Sequence, residues 1–424
     1  MLVQKTPFFY GWVIVAVVML SGLLTTGITS WGLSVFVGPM EEELGWSRST
    51  IFGALAIGVG VMVISGPLLG PVGDTKRGPR ILYLLGALTF GLTLIYMRQV
   101  HFIWQYILVF GVIGGFSRFA IILPMTIIPK WFVRRRAMAI AWASAGHGLG
   151  PFFIPIMIQW FINEVGWRDA WLLLGIITLA LLVPIAALIH TSPEDVGLNP
   201  DGDEALPTSG TTTTTQATAA TEYSYTRYEA VRMPLFWLVI AGLTLGTFGI
   251  MGLIPHIIPF LRTQGFSANV AASSITAYAG VGVLMRFGWG FITKRATVRQ
   301  SFLVLLTLAI GAITFLYTVT NIPSLFLAMM LVGLPFGGFW VLQGLIVPTY
   351  FGRRYIAGIF GLMQPFINGA MWAGPWILSI IFDNFGSYRW VFVTSVASLT
   401  LGIGIFYMAR PVKRAPISQP AVTA

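Results

Sequence analysis

The feature that most constrains this 424-residue chain is the length of its uncharged stretches. They recur at about 20 residues, the length an α-helix needs to cross the hydrocarbon core of a bilayer. Twelve spans are expected, near 11–37, 49–70, 81–97, 103–129, 137–162, 169–190, 234–260, 271–292, 301–319, 323–349, 356–382 and 389–409. Apolar residues make up 56% of the chain and charged ones only 9%, too apolar for a soluble core. The first block is too long for the core of a cleaved leader and reads as the first span. The expected class is an all-α, multi-pass membrane protein. Its 48 glycines and 24 prolines fit that class, because neighbouring helices and water satisfy freed backbone groups inside membrane bundles.

The charge of +11 is distributed by loop. Alternate loops carry clusters: Lys76, Arg77 and Arg80; Lys130 with Arg134, Arg135 and Arg136; Arg227 and Arg232; Lys294, Arg295 and Arg299; Arg353 and Arg354; Arg410, Lys413 and Arg414. The intervening loops hold single arginines, Arg48, Arg98, Arg168, Arg262 and Arg389. The positive-inside rule therefore places both termini in the cytoplasm. The basic balance is a topology signal and not a nucleic-acid surface. With no cysteine, disulfides, iron–sulfur clusters and thiolate chemistry are excluded. Four histidines without cysteine support no metal centre, and no Walker loop or dinucleotide fingerprint occurs. No cofactor is expected.

A polar segment divides the spans six and six. The expected organisation is a six-helix bundle over 1–190, a cytoplasmic linker over 191–233, a second six-helix bundle over 234–410 and a tail over 411–424. The linker contains a threonine run, Thr211–Thr215, and its middle is expected to be disordered. Tyr228 to Arg232 suggests a short interfacial helix before the seventh span. The halves echo one another. Pro129-Lys-Trp-Phe132-Val-Arg134-Arg135 matches Pro348-Thr-Tyr-Phe351-Gly-Arg353-Arg354, and Gly166-Trp-Arg168 matches Gly386-Ser-Tyr-Arg389 with one insertion. A parallel repeat of two six-span bundles describes a carrier whose substrate sits between its halves.

These residues resemble the major facilitator superfamily, and within it the monocarboxylate transporter and oxalate/formate antiporter branch. Tyr10-Gly11-Trp12-Val13 is similar to the branch's entry to the first span. Trp131-Phe132-Val-Arg134-Arg135-Arg136, then Gly146-x-Gly148-x-Gly150 and Pro155, resembles its fourth-to-fifth span signature. Pro193-Glu194-Asp195-Val-Gly197 through Pro200-Asp201-Gly202 resembles the opening of its central loop. His256-Ile-Ile-Pro259 leads to Arg286-Phe-Gly-Trp-Gly290 in the eighth span. The resemblance implies the major facilitator fold, transport of a small organic anion, and Arg286 as the residue that meets its carboxylate. There are departures. The loop after the second span, Gly70-Pro-Val-Gly-Asp74, is one residue longer than the family's, and its echo has Lys294 where an acid is usual. Gly282 stands one turn before Arg286 where proton-coupled members have an acid, and Gln364 stands where an oxalate-type exchanger has a lysine.

Physical chemistry singles out the same arginine and one more. Arg118 and Arg286 lie inside apolar spans with no acid at similar depth. An arginine at the centre of a membrane helix costs about 2.5–3.5 kcal/mol, so it is paired, hydrated or functional. Its planar fork suits a carboxylate. The expectation is that Arg286 holds a substrate carboxylate and Arg118 faces it across the halves. Arg286 lies roughly 9 Å from the cytoplasmic end of its span at helical rise, so snorkelling is its alternative reading. Arg118 has pairing to helix carbonyls as its own. His256 and His147 are candidates for proton coupling, against a plain hydrogen-bonding role. Tyr278, Trp31, Gln364 and Asn368 are candidate cavity residues, although aromatics and amides in spans also serve packing. Asp74, Arg134, Arg135, Arg136, Gly150 and Pro151 are assigned to gating and helix mechanics.

The expected function is alternating-access transport of a small organic anion, by proton symport or anion exchange, in a monomer of the cell membrane, the bacterial inner membrane foremost. Efflux of drugs or other hydrophobic solutes by proton antiport is the alternative. An enzyme is not expected, since the span interiors hold no nucleophile–base or metal constellation. The partners are the anion, protons and the lipid bilayer.

Overall fold

A computed structural model describes residues 8–202 and 224–410. The middle of the linker, with its expected disorder, and the 411–424 tail lie outside the described residues. Within them every regular element is helical. The first half contains α1 (Gly11–Thr26), which runs through a π-helical stretch, Gly27–Gly32, into α2 (Leu33–Leu44). Next come α3 (Arg48–Gly73), α4 (Gly78–Tyr96) and α5 (Ile103–Tyr106). A second π stretch, Ile107–Ile113, leads from α5 to α6 (Gly114–Ile122), followed by α7 (Ile128–Trp131) and α8 (Arg136–Ile185). The second half contains α9 (Arg227–Arg232), α10 (Pro234–Met251), α11 (Ile254–Thr263), α12 (Ala268–Ile292), α13 (Val298–Tyr317), α14 (Ile322–Tyr350), α15 (Ile356–Phe385) and α16 (Tyr388–Met408).

Among the described residues, eleven helices are long and apolar enough to cross a membrane. One of them runs over Arg136–Leu188, 53 residues, well beyond one crossing. At Gly166 its backbone leaves helical geometry with φ 79° and ψ 165°, a conformation open to glycine and to few other residues. The sequence expectation of separate fifth and sixth spans falls on the two arms either side of that glycine. The fourth span is shorter than expected: α6 gives way to a 3-10 turn, Leu123–Thr126, where Pro124 lacks the N–H an α-helix needs.

Polar residues at helix starts explain several boundaries. Ser47 and Ser267 accept the backbone N–H three residues on, and Thr297 with Gln300 forms a capping box. The expected interfacial helix is α9, capped reciprocally by Thr226 and Glu229. The halves repeat one another in packing. In the first, α6 packs on α3 and α4, and α4 on α8; in the second, α14 packs on α12 and α13, and α13 on α16. Between the halves, α3 pairs with α15 and α8 with α12.

The α3–α15 pair is closest at the end of the clustered basic loops. A methyl added at Gly66 would lie 2.8 Å from the Gly361 carbonyl oxygen, and one at Gly70 only 2.5 Å from that of Ala357. Gly66-x-x-x-Gly70 puts both glycines on one helix face, which lets the backbones touch. This packing shuts the seam at the basic end.

Candidate functional site

Arg286 projects from α12 into that seam. It is 4% exposed, and Nη1 donates to the Ser144 carbonyl of α8, in the other half. The approach is possible because Gly148, one turn on, has no side chain: an added Cβ would sit 3.0 Å from Nη1 and 3.1 Å from Cζ. Nε has no hydrogen-bond partner. The guanidinium is therefore buried between helices, which disposes of snorkelling. Tyr278, two turns before it on α12, is buried against Phe336 with its hydroxyl unpartnered.

Arg118 is buried as deeply, 5% exposed, but in different surroundings. Its guanidinium lies over the Phe110 ring, 5.6 Å from the centroid, and against Gly58 of α3, where any Cβ would collide with Nη2. Nη2 has no partner. All these groups belong to the first half. Each arginine occupies a glycine notch on a neighbouring helix, but only Arg286's notch lies across the seam.

His256, on α11, is tied by Nε2 to the Pro375 carbonyl of α15 at 3.0 Å. A carbonyl only accepts, so Nε2 carries the proton in this bond. The contact joins a helix break to a proline-containing helix. Helices α10 and α11 break at Gly252–Leu253, and the Gly252 backbone packs on Gly374, beside Pro375. His147 faces another helix, its ring against Gly22 of α1. Gly150 packs on Gly27, at the start of the π stretch in which Trp31 is half exposed, at 50%. The backbone stays helical through Pro151. Gln364 and Asn368 lie one turn apart on α15, with Asn368 Nδ2 donating to Gln364 Oε1 at 3.3 Å.

The basic end is closed by a buried ion pair that sequence reading had split between topology and gating. Asp74, at the end of α3, accepts from the backbone N–H groups of Ala357 (3.0 Å) and Gly358 (2.6 Å) as α15 begins. Lys130 lies 3.5 Å from it. Burial pushes the Asp74 carboxyl above the ordinary carboxylate range and the Lys130 ammonium below its own, each partner pulling the other part of the way back. The ordered ends of the linker add to the closure. Arg353 pairs with Glu194 at 2.7 Å and donates to the Lys130 carbonyl at 3.4 Å. The Asp201 carboxylate accepts from the backbone of Val133, Arg134 and Arg135, at 3.0, 2.7 and 3.3 Å. In that bond it is the backbone of the Arg134–Arg136 cluster that engages, and Arg136 also donates through Nε to the Phe132 carbonyl.

Lys130, Asp201 and the Gly66–Gly70 pair were not among the residues the sequence singled out. The glycine spacing was a readable signal. Lys130 was hidden among loop cations, and Asp201 in a segment that reads as linker. Among the described residues no group of histidines and carboxylates is placed to hold a metal ion.

Comparison with known proteins agrees with this geometry. The family model described as Major Facilitator Superfamily matches residues 19–373. Monocarboxylate transporter 13 of Bos taurus is 25% identical over 407 residues, 93% of this chain and 88% of that protein. The oxalate:formate antiporter of Oxalobacter formigenes is 22% identical over 411 residues, covering 95% and 93%. Among solved structures, a proton:xylose symporter bound to 6-bromo-6-deoxy-D-glucose aligns with TM-score 0.66 at 15% identity, covering 94% of this chain and 95% of the other.

Proposed function

Because the chain belongs to the major facilitator superfamily, we propose that it is a secondary transporter of small organic anions, working by alternating access as a proton symporter or an anion exchanger. It crosses the cell membrane twelve times, once the long helix is divided at Gly166, with both termini on the cytoplasmic side. The bundles span 1–190 and 234–410, joined by the 191–233 linker.

The observation that carries this reading is the state of the two arginines. Two guanidiniums are buried in the spans, each with a nitrogen left unpartnered, and among the described residues no carboxylate pairs with either. An unneutralised buried cation is costly, and an anion that supplies the missing charge and acceptors relieves it. Arg286 lies where the halves meet, against Ser144 and Gly148 of the other half. An anion that enters between the halves reaches it there. Opening the cytoplasmic end requires breaking the Asp74 contacts to α15 and the Glu194–Arg353 pair. The similarity to a monocarboxylate transporter and an oxalate:formate antiporter supports a carboxylate as the anion.

His256 is the coupling candidate because its Nε2 bond joins the break between α10 and α11 to Pro375 of α15. The test of the whole reading is saturable counterflow of labelled lactate, formate or oxalate in proteoliposomes. Accumulation against a preloaded anion is expected. Absence of counterflow with all three would reject the carboxylate.

A further inference from the structure

A guanidinium offers a carboxylate two edges, one made of Nη1 and Nη2 and the other of Nε and Nη2. In this structure Nη1 is taken by the Ser144 carbonyl and Nε has no partner. The bond to Ser144 thus engages the end-on edge, and the unpartnered Nε lies on the side-on one. It also ties the orientation of that edge to α8, the helix that supplies the carbonyl.

We propose that the Ser144 carbonyl, reached through the notch at Gly148, is a positioning group for Arg286: it orients the Nε/Nη2 edge towards one substrate carboxylate, and does so only while the basic end is shut. The inference rests on the organic-anion reading and adds to it a difference between the two faces of the membrane. When the seam opens at the basic end, α8 and α12 part there, Ser144 leaves Arg286, and the fork turns freely. Pre-organising a donor pair strengthens binding by removing the entropy of orienting it. Carboxylate affinity is therefore higher from the face opposite the basic loops than from the basic face. Substrate is captured on one side and released more readily on the other without any change in the residues that touch it.

Gly148→Ala tests this without altering a group assigned to the substrate. The added methyl would crowd Nη1 and Cζ, and also Val283 Cγ2 at 2.9 Å, so the guanidinium is displaced from Ser144. The double variant Gly148→Ala/Val283→Ala relieves the second contact if the single variant does not fold. The chain contains no cysteine, so a single cysteine at exposed Arg77 reports orientation in proteoliposomes through an impermeant maleimide.

With lactate and oxalate as probes, KM from the face opposite the basic loops is expected to rise about tenfold, the loss of one charge-assisted hydrogen bond. KM from the basic face is expected to stay unchanged. An equal rise at both faces, or none at either, overturns the proposal. A second readout needs no substrate: spin labels at Arg77 and Arg295, one in each half at the basic end, move to longer distances in Gly148→Ala if the tie helps hold the seam shut. Unchanged distances overturn the proposal as well. Longer distances together with failure of every probe in the wild type would leave the tie standing and reject the organic-anion reading.

Discussion

Arg286 and Arg118 are equally buried, equally short of a carboxylate, and set in glycine notches, yet they differ in what their notches join. Gly148 belongs to the opposite half, so the environment of Arg286 changes whenever the halves move. Gly58 belongs to the same half as Arg118, and Phe110 with it, so that guanidinium travels as part of a rigid bundle. Depth in a membrane span is therefore a weak guide to role. A cation at a moving seam can take a different partner in each state, whereas a cation inside one bundle can only be satisfied or left unsatisfied.

The comparison is most exposed to substitution of Arg286. Arg286→Ala should lower carboxylate kcat/KM by about 100-fold or more, the effect of removing one member of a desolvated charge pair. Asp74→Asn comes next and acts on only one arginine. It strips the counter-charge from buried Lys130, a loss of about 3–5 kcal/mol, and weakens the hold on α15. A cysteine at Gly290, beside Ala137 in the seam, should then react faster with a maleimide.

Arg118→Met sharpens the contrast further. Removing a buried charge that no carboxylate neutralises relieves a desolvation cost, so the thermal midpoint should rise while transport falls by a smaller factor than for Arg286→Ala. A lower midpoint would mean that Arg118 is satisfied by carbonyls or water. The smallest effect is expected of His256→Gln, since the amide can still donate to Pro375. With His256 as the coupling residue, the variant should lower proton-driven uptake and keep its anion exchange.

Much of the fold was legible in the sequence because a bilayer imposes a length on every helix and a charge bias on every loop. The division expected between the fifth and sixth spans falls at Gly166, where the backbone leaves helical geometry. The halves were readable from the Pro-x-aromatic-Phe-x-Arg-Arg echo. The site was legible only in outline. Arg286 stood out by composition, but nothing in the residues around it told that its partner would be a backbone carbonyl on the other half. A carbonyl has no sequence signature, and the glycine that exposes it looks like any small residue in a membrane helix. Lys130 was unreadable for the opposite reason: its type and position fit the topology rule so well that its burial beside Asp74 left no trace.

Counterflow of a labelled carboxylate in proteoliposomes, with wild type, Arg286→Ala and Arg118→Met compared at matched protein density, tests the central claim most directly. The account predicts saturable exchange by the wild type, reduced exchange by the Arg118 variant and none above background by the Arg286 variant. Exchange by Arg286→Ala at the wild-type rate would contradict it.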